Sequence, residues 1–110
     1  MTDAADPDEP RVGADSATIE NEAGPRDLTI VNKKGLHARA SARFVEVVNA
    51  YDAAVLVEKD GEEVSGTDLL GLLMLAGTRG STITVSSVGS EAHEVLDALE
   101  KLVADGFGEA

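Results

Sequence analysis

The dipeptide Asp60-Gly61 does most to constrain this chain. It sits between two short β-prone runs, Ala54 to Glu58 and Glu62 to Ser65. Asp-Gly is a preferred pair for a two-residue hairpin turn, because both central residues need a positive φ. The two runs therefore pair antiparallel near the middle of the chain. Helical and extended patterns alternate on either side. Leu28 to Val31 reads as a strand. Residues 38–50 read as a helix with an apolar stripe of Phe44, Val45, Val47 and Val48, ended around Tyr51-Asp52. Residues 68–75 read as a short helical turn, and Ser81 to Ser87 as a strand with Ile83 and Val85 on one face. Ser90 is placed to cap a long helix whose apolar positions 92, 95, 96, 99, 102 and 103 keep helical spacing, with Gly106 as its stop. The order is β-α-β-β-α-β-α. It predicts an α+β layer structure, an antiparallel sheet with helices packed on one face.

With 110 residues and 43% hydrophobic content there is room for one domain with one core, and at 3% aromatics that core must be built from Val, Leu, Ile and Ala. Residues 1–25 stand apart. They hold all three prolines, seven acids and one arginine, with no apolar periodicity, and are expected to form a disordered acidic tail before a domain over 26–110. The net charge of −12 argues against nucleic acid and against anionic lipid. Without cysteine there is no disulfide, thiolate metal site or thiol chemistry. The acidic N-terminus lacks the apolar core of a signal peptide, and no apolar run approaches the ~20 residues of a membrane span. The expectation is a cytoplasmic protein.

Against that acidity, no Asp or Glu occurs between Asp27 and Glu46, while four of the nine basic residues, Lys33, Lys34, Arg39 and Arg43, fall in the gap. His37 lies among them at a helix start, just after Gly35. The free backbone N–H groups of Ala38, Arg39 and Ala40 and the helix dipole favour an anion there. A neutral imidazole nitrogen is a nucleophile toward an activated phosphoryl group, and the Arg39 guanidinium can fork onto its oxygens. The plainer reading of His37 is a histidine that caps the helix. No glycine-rich nucleotide loop is present, so a phosphoryl donor must be another protein. The other histidine, His93, has no paired ligand spacing and reads as an exposed first-turn residue, so no metal is expected. Ser41 is one turn beyond His37, but no orienting acid lies nearby in sequence, and it reads as an ordinary helix residue. The segment Ser65 to Leu75 is apolar on nearly every side and too short to be stable alone. It is either buried or a patch for a partner, with Asp68 as its N-cap.

Gly35-Leu36-His37-Ala38-Arg39-Ala40 resembles the active-site loop of HPr, the histidine-containing phosphocarrier of the bacterial phosphoenolpyruvate-dependent phosphotransferase system. The resemblance runs through Tyr51-Asp52-Ala53, Asp60-Gly61, Gly66 to Leu72 and Gly106-Phe107-Gly108-Glu109, covering about residues 27–109. It implies an open-faced β-sandwich with a four-stranded antiparallel sheet. It also implies that His37 takes a phosphoryl group at Nδ1 from phosphorylated Enzyme I and passes it to an EIIA-type protein, with Arg39 assisting and Leu69, Leu70 and Leu73 on the docking surface. The protein would be a relay and not an enzyme, monomeric, with no cofactor. Two positions depart from many relatives. Ala40 replaces a proline that would pre-organise the first turn. Asp68 stands where a regulatory serine, the target of HPr kinase, is found. Ala40-Ser41 and Met74-Leu75-Ala76 look more like the nitrogen-type, regulatory branch. The competing function is a regulatory binding module that uses the same face with little phosphotransfer.

Overall fold

The computed structural model describes residues 21–75 and 77–109. Strand β1 spans Glu22–Thr29, helix α1 Ala38–Asn49, β2 Ala54–Lys59, β3 Glu62–Ser65, α2 Leu69–Met74, β4 Thr82–Val88 and α3 Ala92–Ala104, followed by a 3-10 turn at Gly106–Gly108. The strands form one antiparallel sheet in the order β1-β4-β2-β3. The helices cover one face. The fold is the antiparallel sheet with helices on one face that the order of elements predicts, and the open-faced β-sandwich that the resemblance implies.

The hairpin forms as read. Asp60 and Gly61 hold φ of 54° and 85°, and Lys59 pairs with Glu62 across the turn. Alternation sets the sheet's two faces. In β4, Ile83, Val85 and Ser87 point to the helices and are buried. In β2, Val55 and Val57 do the same, while Leu56 is exposed on the open face. Helix α1 presents Ala40, Ser41, Phe44 and Val48 to the core, and α3 presents Ala92, Val95, Leu96, Leu99 and Val103. Val45, Val47 and Leu102, also placed in the apolar stripes, are only partly buried at their edges.

Two expectations need correction. Strand β1 begins at Glu22, not Leu28, so Glu22 to Pro25, assigned above to the tail, form part of the sheet, with Ala23 buried. Gly24 and Pro25 fall where the pairing slips, between Ala23↔Ser87 and Arg26↔Val85. An edge strand tolerates such an interruption because a proline there breaks no interior ladder. Arg26 then ties β1 to α3 through Asp97 at 2.8 Å and Glu100 at 2.9 Å. Residues 1–20, the rest of the expected tail, lie outside the described residues. Second, Ser90 does not cap α3. The N-cap is Glu91, which makes no side-chain cap bond. The Ser90 hydroxyl instead donates to Asp52 Oδ2 at 2.5 Å, and Glu91 Oε1 accepts the Asp52 N–H at 2.7 Å. Both side chains are spent on the loop after α1.

Candidate functional site

The loop between β1 and α1 is held from below. Gly35 has φ of 65°, and a Cβ there would lie 2.1 Å from the Gly77 carbonyl oxygen, so only glycine fits. That same oxygen accepts the Leu36 N–H at 2.8 Å. Leu36 is buried, and His37 follows as the N-cap of α1. His37 Nδ1 accepts the Arg39 N–H at 3.2 Å, and its carbonyl accepts the Ser41 N–H at 2.8 Å. The capping reading of His37 is thus correct, and it leaves the ring at the helix N-terminus. Of the three N–H groups expected to face an anion, that of Arg39 is taken by the ring. Those of Ala38 and Ala40 have no acceptor among the described residues. Ser41 does not pair with His37. Its hydroxyl donates to the Leu36 carbonyl at 3.0 Å inside the core.

The basic residues converge. A cavity of about 660 Å³ over His37 is lined by Lys33, Lys34, Arg39, Arg43 and Glu109. Among the described residues Glu109 is the one acid in that ring of cations, and its Oε2 contacts His37 Nε2. Its other oxygen, Oε1, accepts from Asn32 Nδ2 at 3.1 Å. Asn32 is buried, and Nδ2 also donates to the Gly35 carbonyl at 2.9 Å, so one amide braces both the loop and the carboxylate. The hydrogen bond from His37 holds the Glu109 carboxyl below its ordinary value, with help from Asn32 and from the charge of Lys34.

Phe107 carries Glu109 to this position. It is fully buried, with φ of 59° and ψ of 24°, a left-handed conformation uncommon for a bulky residue. The ring plugs the core past the end of α3, and the backbone turns back toward α1. Gly108 N–H donates to Asp105 O at 3.2 Å, and Glu109 N–H to Gly106 O at 3.0 Å.

Asp68 caps α2 as read, its Oδ1 accepting the Gly71 N–H at 3.0 Å. Leu72 is fully buried, while Leu69, Leu70 and Met74 are exposed, Leu70 at 66% and Met74 at 73%. Leu73 is only half-buried, so Met74 extends the exposed apolar surface further than Leu73 does. His93 is exposed on α3, outside this constellation. Among the described residues no group of three or more His, Asp or Glu could hold a metal ion.

A family model described as the PTS HPr component phosphorylation site matches residues 25–105. The chain belongs to the HPr family of phosphocarrier proteins. It is 42% identical to the phosphocarrier protein HPr of Cupriavidus necator over 84 residues, covering 76% of this chain and 94% of that one. It is 40% identical over 85 residues to the phosphocarrier protein NPr of Shewanella violacea, covering 77% and 93%. The crystal structure of HPr-C-His from Thermoanaerobacter tengcongensis superposes with a TM-score of 0.76 at 32% identity, covering 80% of this chain and 99% of that one. HPr from Bacillus anthracis gives 0.71 at 36%, covering 74% and 96%.

An HPr-family chain is a relay that moves a phosphoryl group between components of the phosphotransferase system and is not an enzyme. Relatives named HPr and NPr match at near-equal identity, so overall likeness does not separate the two branches. No helix among the described residues is long and apolar enough to cross a membrane. Sequence reasoning brought His37, Arg39, Lys33, Lys34 and Arg43 together, and they do line one cavity. It missed Asn32 and Glu109. The available signal for Glu109 was Phe107, a large apolar residue between two glycines just past a helix, which has to fold back onto the core.

Proposed function

We propose that His37 accepts the phosphoryl group at Nδ1 from phosphorylated Enzyme I and passes it to an EIIA-type protein. The supporting observation is the placement of Nδ1 at the N-terminus of α1, within a ring of four cations. In the resting protein Nδ1 accepts the Arg39 N–H. An incoming phosphorus takes the Nδ1 lone pair, and the Arg39 N–H is released to donate to a phosphoryl oxygen. The N–H groups of Ala38 and Ala40 add two further donors near the positive end of the helix dipole. Arg39 and Arg43 are exposed on the first turns of α1, where a guanidinium can fork onto the phosphoryl oxygens. The cavity is open, which suits a group that must enter and leave in the grip of successive partners. Leu69, Leu70, Leu73 and Met74 supply the apolar part of the docking face.

The test is incubation with phosphoenolpyruvate and Enzyme I. The expected product is one phosphoryl adduct that is labile in acid and stable in base, since protonation turns the ring nitrogen into a good leaving group. His37→Ala is expected to abolish the adduct while losing only ~1 kcal/mol of stability with its cap. Labelling of the His37→Ala protein would overturn the assignment.

A further inference from the structure

The carboxylate on His37 sits at Nε2, the ring nitrogen that the transfer does not use. Resting on the reading of His37 as the acceptor, we infer that Glu109 is a positioning residue that keeps the proton on Nε2 through both halves of the transfer cycle.

Three observations carry this. First, Nδ1 accepts the Arg39 N–H, so it carries a lone pair and the neutral ring's proton is on Nε2, facing Glu109 Oε2. Second, the mount is built. Glu109 is gripped at both oxygens, by His37 and by Asn32, and its backbone is fixed by the buried Phe107 and the bond to Gly106. Third, among the described residues every other charged group lining the cavity is a cation: Lys33 and Lys34 from the loop, Arg39 and Arg43 from α1. These draw the phosphoryl group but oppose positive charge on the ring. Glu109 is the acid that offsets them.

The chemistry requires that offset. On capture, the Nδ1 lone pair forms the N–P bond while the donor's P–N bond breaks and its electron pair returns to the donor nitrogen. The His37 ring becomes positive, and the Nε2–H···Oε2 bond becomes charge-assisted, about twice as strong as a neutral one. On release, the N–P pair returns to Nδ1. With Nε2 protonated the leaving group is neutral imidazole; without that proton it is an imidazolide anion, a far poorer one. One proton, held in place, makes Nδ1 both a nucleophile and a leaving group.

The test uses the full chain, Glu109→Gln and Glu109→Ala, with thermal melting to confirm that each folds. Proton NMR of the unphosphorylated proteins reads the Nε2 proton. A downfield, exchange-protected signal is expected in the parent and in Glu109→Gln, whose amide oxygen still accepts, and its loss is expected in Glu109→Ala. Decay of phosphorylated His37 is then followed from pH 4 to pH 8. At pH 8 both variants are expected to lose the phosphoryl group about fivefold more slowly than the parent, the upper end of what a partly exposed charge pair supports. The three are expected to converge at pH 4, where the solvent itself supplies the proton to the leaving group. Equal decay at pH 8, or an Nε2 proton signal unchanged in Glu109→Ala, overturns the inference. Failure to phosphorylate the parent at His37 defeats the acceptor reading instead, and the Nε2 signal still decides the contact with Glu109.

Discussion

Gly35 and Gly61 both hold a positive φ, at 65° and 85°, yet a side-chain carbon added at each meets opposite surroundings. At Gly61 nothing lies within 4 Å. At Gly35 the Gly77 carbonyl oxygen would be 2.1 Å away, with its carbon and Thr78 Cα both at 3.1 Å. Gly61→Ala therefore bears only the left-handed backbone penalty, ~1 kcal/mol. Gly35→Ala bears the same penalty and must also push the Gly77 carbonyl back by roughly 1 Å to reach an ordinary contact, the cost of overpacking being ~1–3 kcal/mol. That movement strains or breaks the Leu36 N–H bond to the same oxygen, worth ~1 kcal/mol. The sum is ~3 kcal/mol or more. At about 4–8 °C per kcal/mol for a domain of this size, Gly61→Ala should melt about 4–8 °C below the parent and Gly35→Ala at least about 12–24 °C below it. Thermal denaturation followed by far-UV circular dichroism measures both. A phosphorylation assay below both melting points should show Gly61→Ala close to the parent and Gly35→Ala slowed, because Gly35 seats Leu36 and through it His37. Equal losses in melting temperature, or a smaller loss at Gly35, would refute the claim that close approach to Gly77 is what requires glycine there.

Leu70→Glu is expected to slow phosphoryl transfer from Enzyme I with little change in melting temperature, because Leu70 is exposed, whereas Leu72→Ala should cost ~2–5 kcal/mol because Leu72 is fully buried. Urea titrations of the two variants separate these outcomes. Glu109 should make the domain acid-sensitive. Its carboxyl is held below its ordinary value of 4.5, so its contribution is fully present above that pH and is lost as pH falls through the lower folded-state value. The stability gap between the parent and Glu109→Gln should therefore close as pH falls below about 4.5 and the carboxylate is protonated; a gap that does not close in acid would contradict the contact. Asp68→Ser should retain the cap of α2 and create a target for HPr kinase, while the parent, with no hydroxyl at that position, remains unmodified there after incubation with ATP. The same variant should accept phosphoryl groups modestly faster at low salt, with the difference shrinking as salt rises.

What the amino-acid sequence determined about this protein is what its near neighbours decide. Asp60-Gly61 made the hairpin because a two-residue turn of that type needs positive φ at both positions, and the pairing of Lys59 with Glu62 follows at once. The apolar spacing of α1 and α3 marked the faces they bury, and Asp68 three residues before Gly71 is a cap legible in one turn of chain. His37 among four cations and no acids needed no tertiary information either, since charge along the eleven residues from Lys33 to Arg43 stays together when about half of them form a helix. Where contacts span the chain, the same reasoning stopped. Strand β1 runs back through Gly24-Pro25 because β4 is there to pair with it, a fact absent from the segment itself. Ser90 carries a capping side chain, but Asp52, brought beside it by the fold, takes its hydroxyl. The face of α2 that meets the core is chosen by packing, so Met74 and not Leu73 is the more exposed side chain. Glu109 stands 72 positions from His37 and reaches it only because Phe107 has to be buried. Local propensity is written residue by residue. The partner of a side chain is settled by the free energy of the whole core, which places the carboxylate that completes this site.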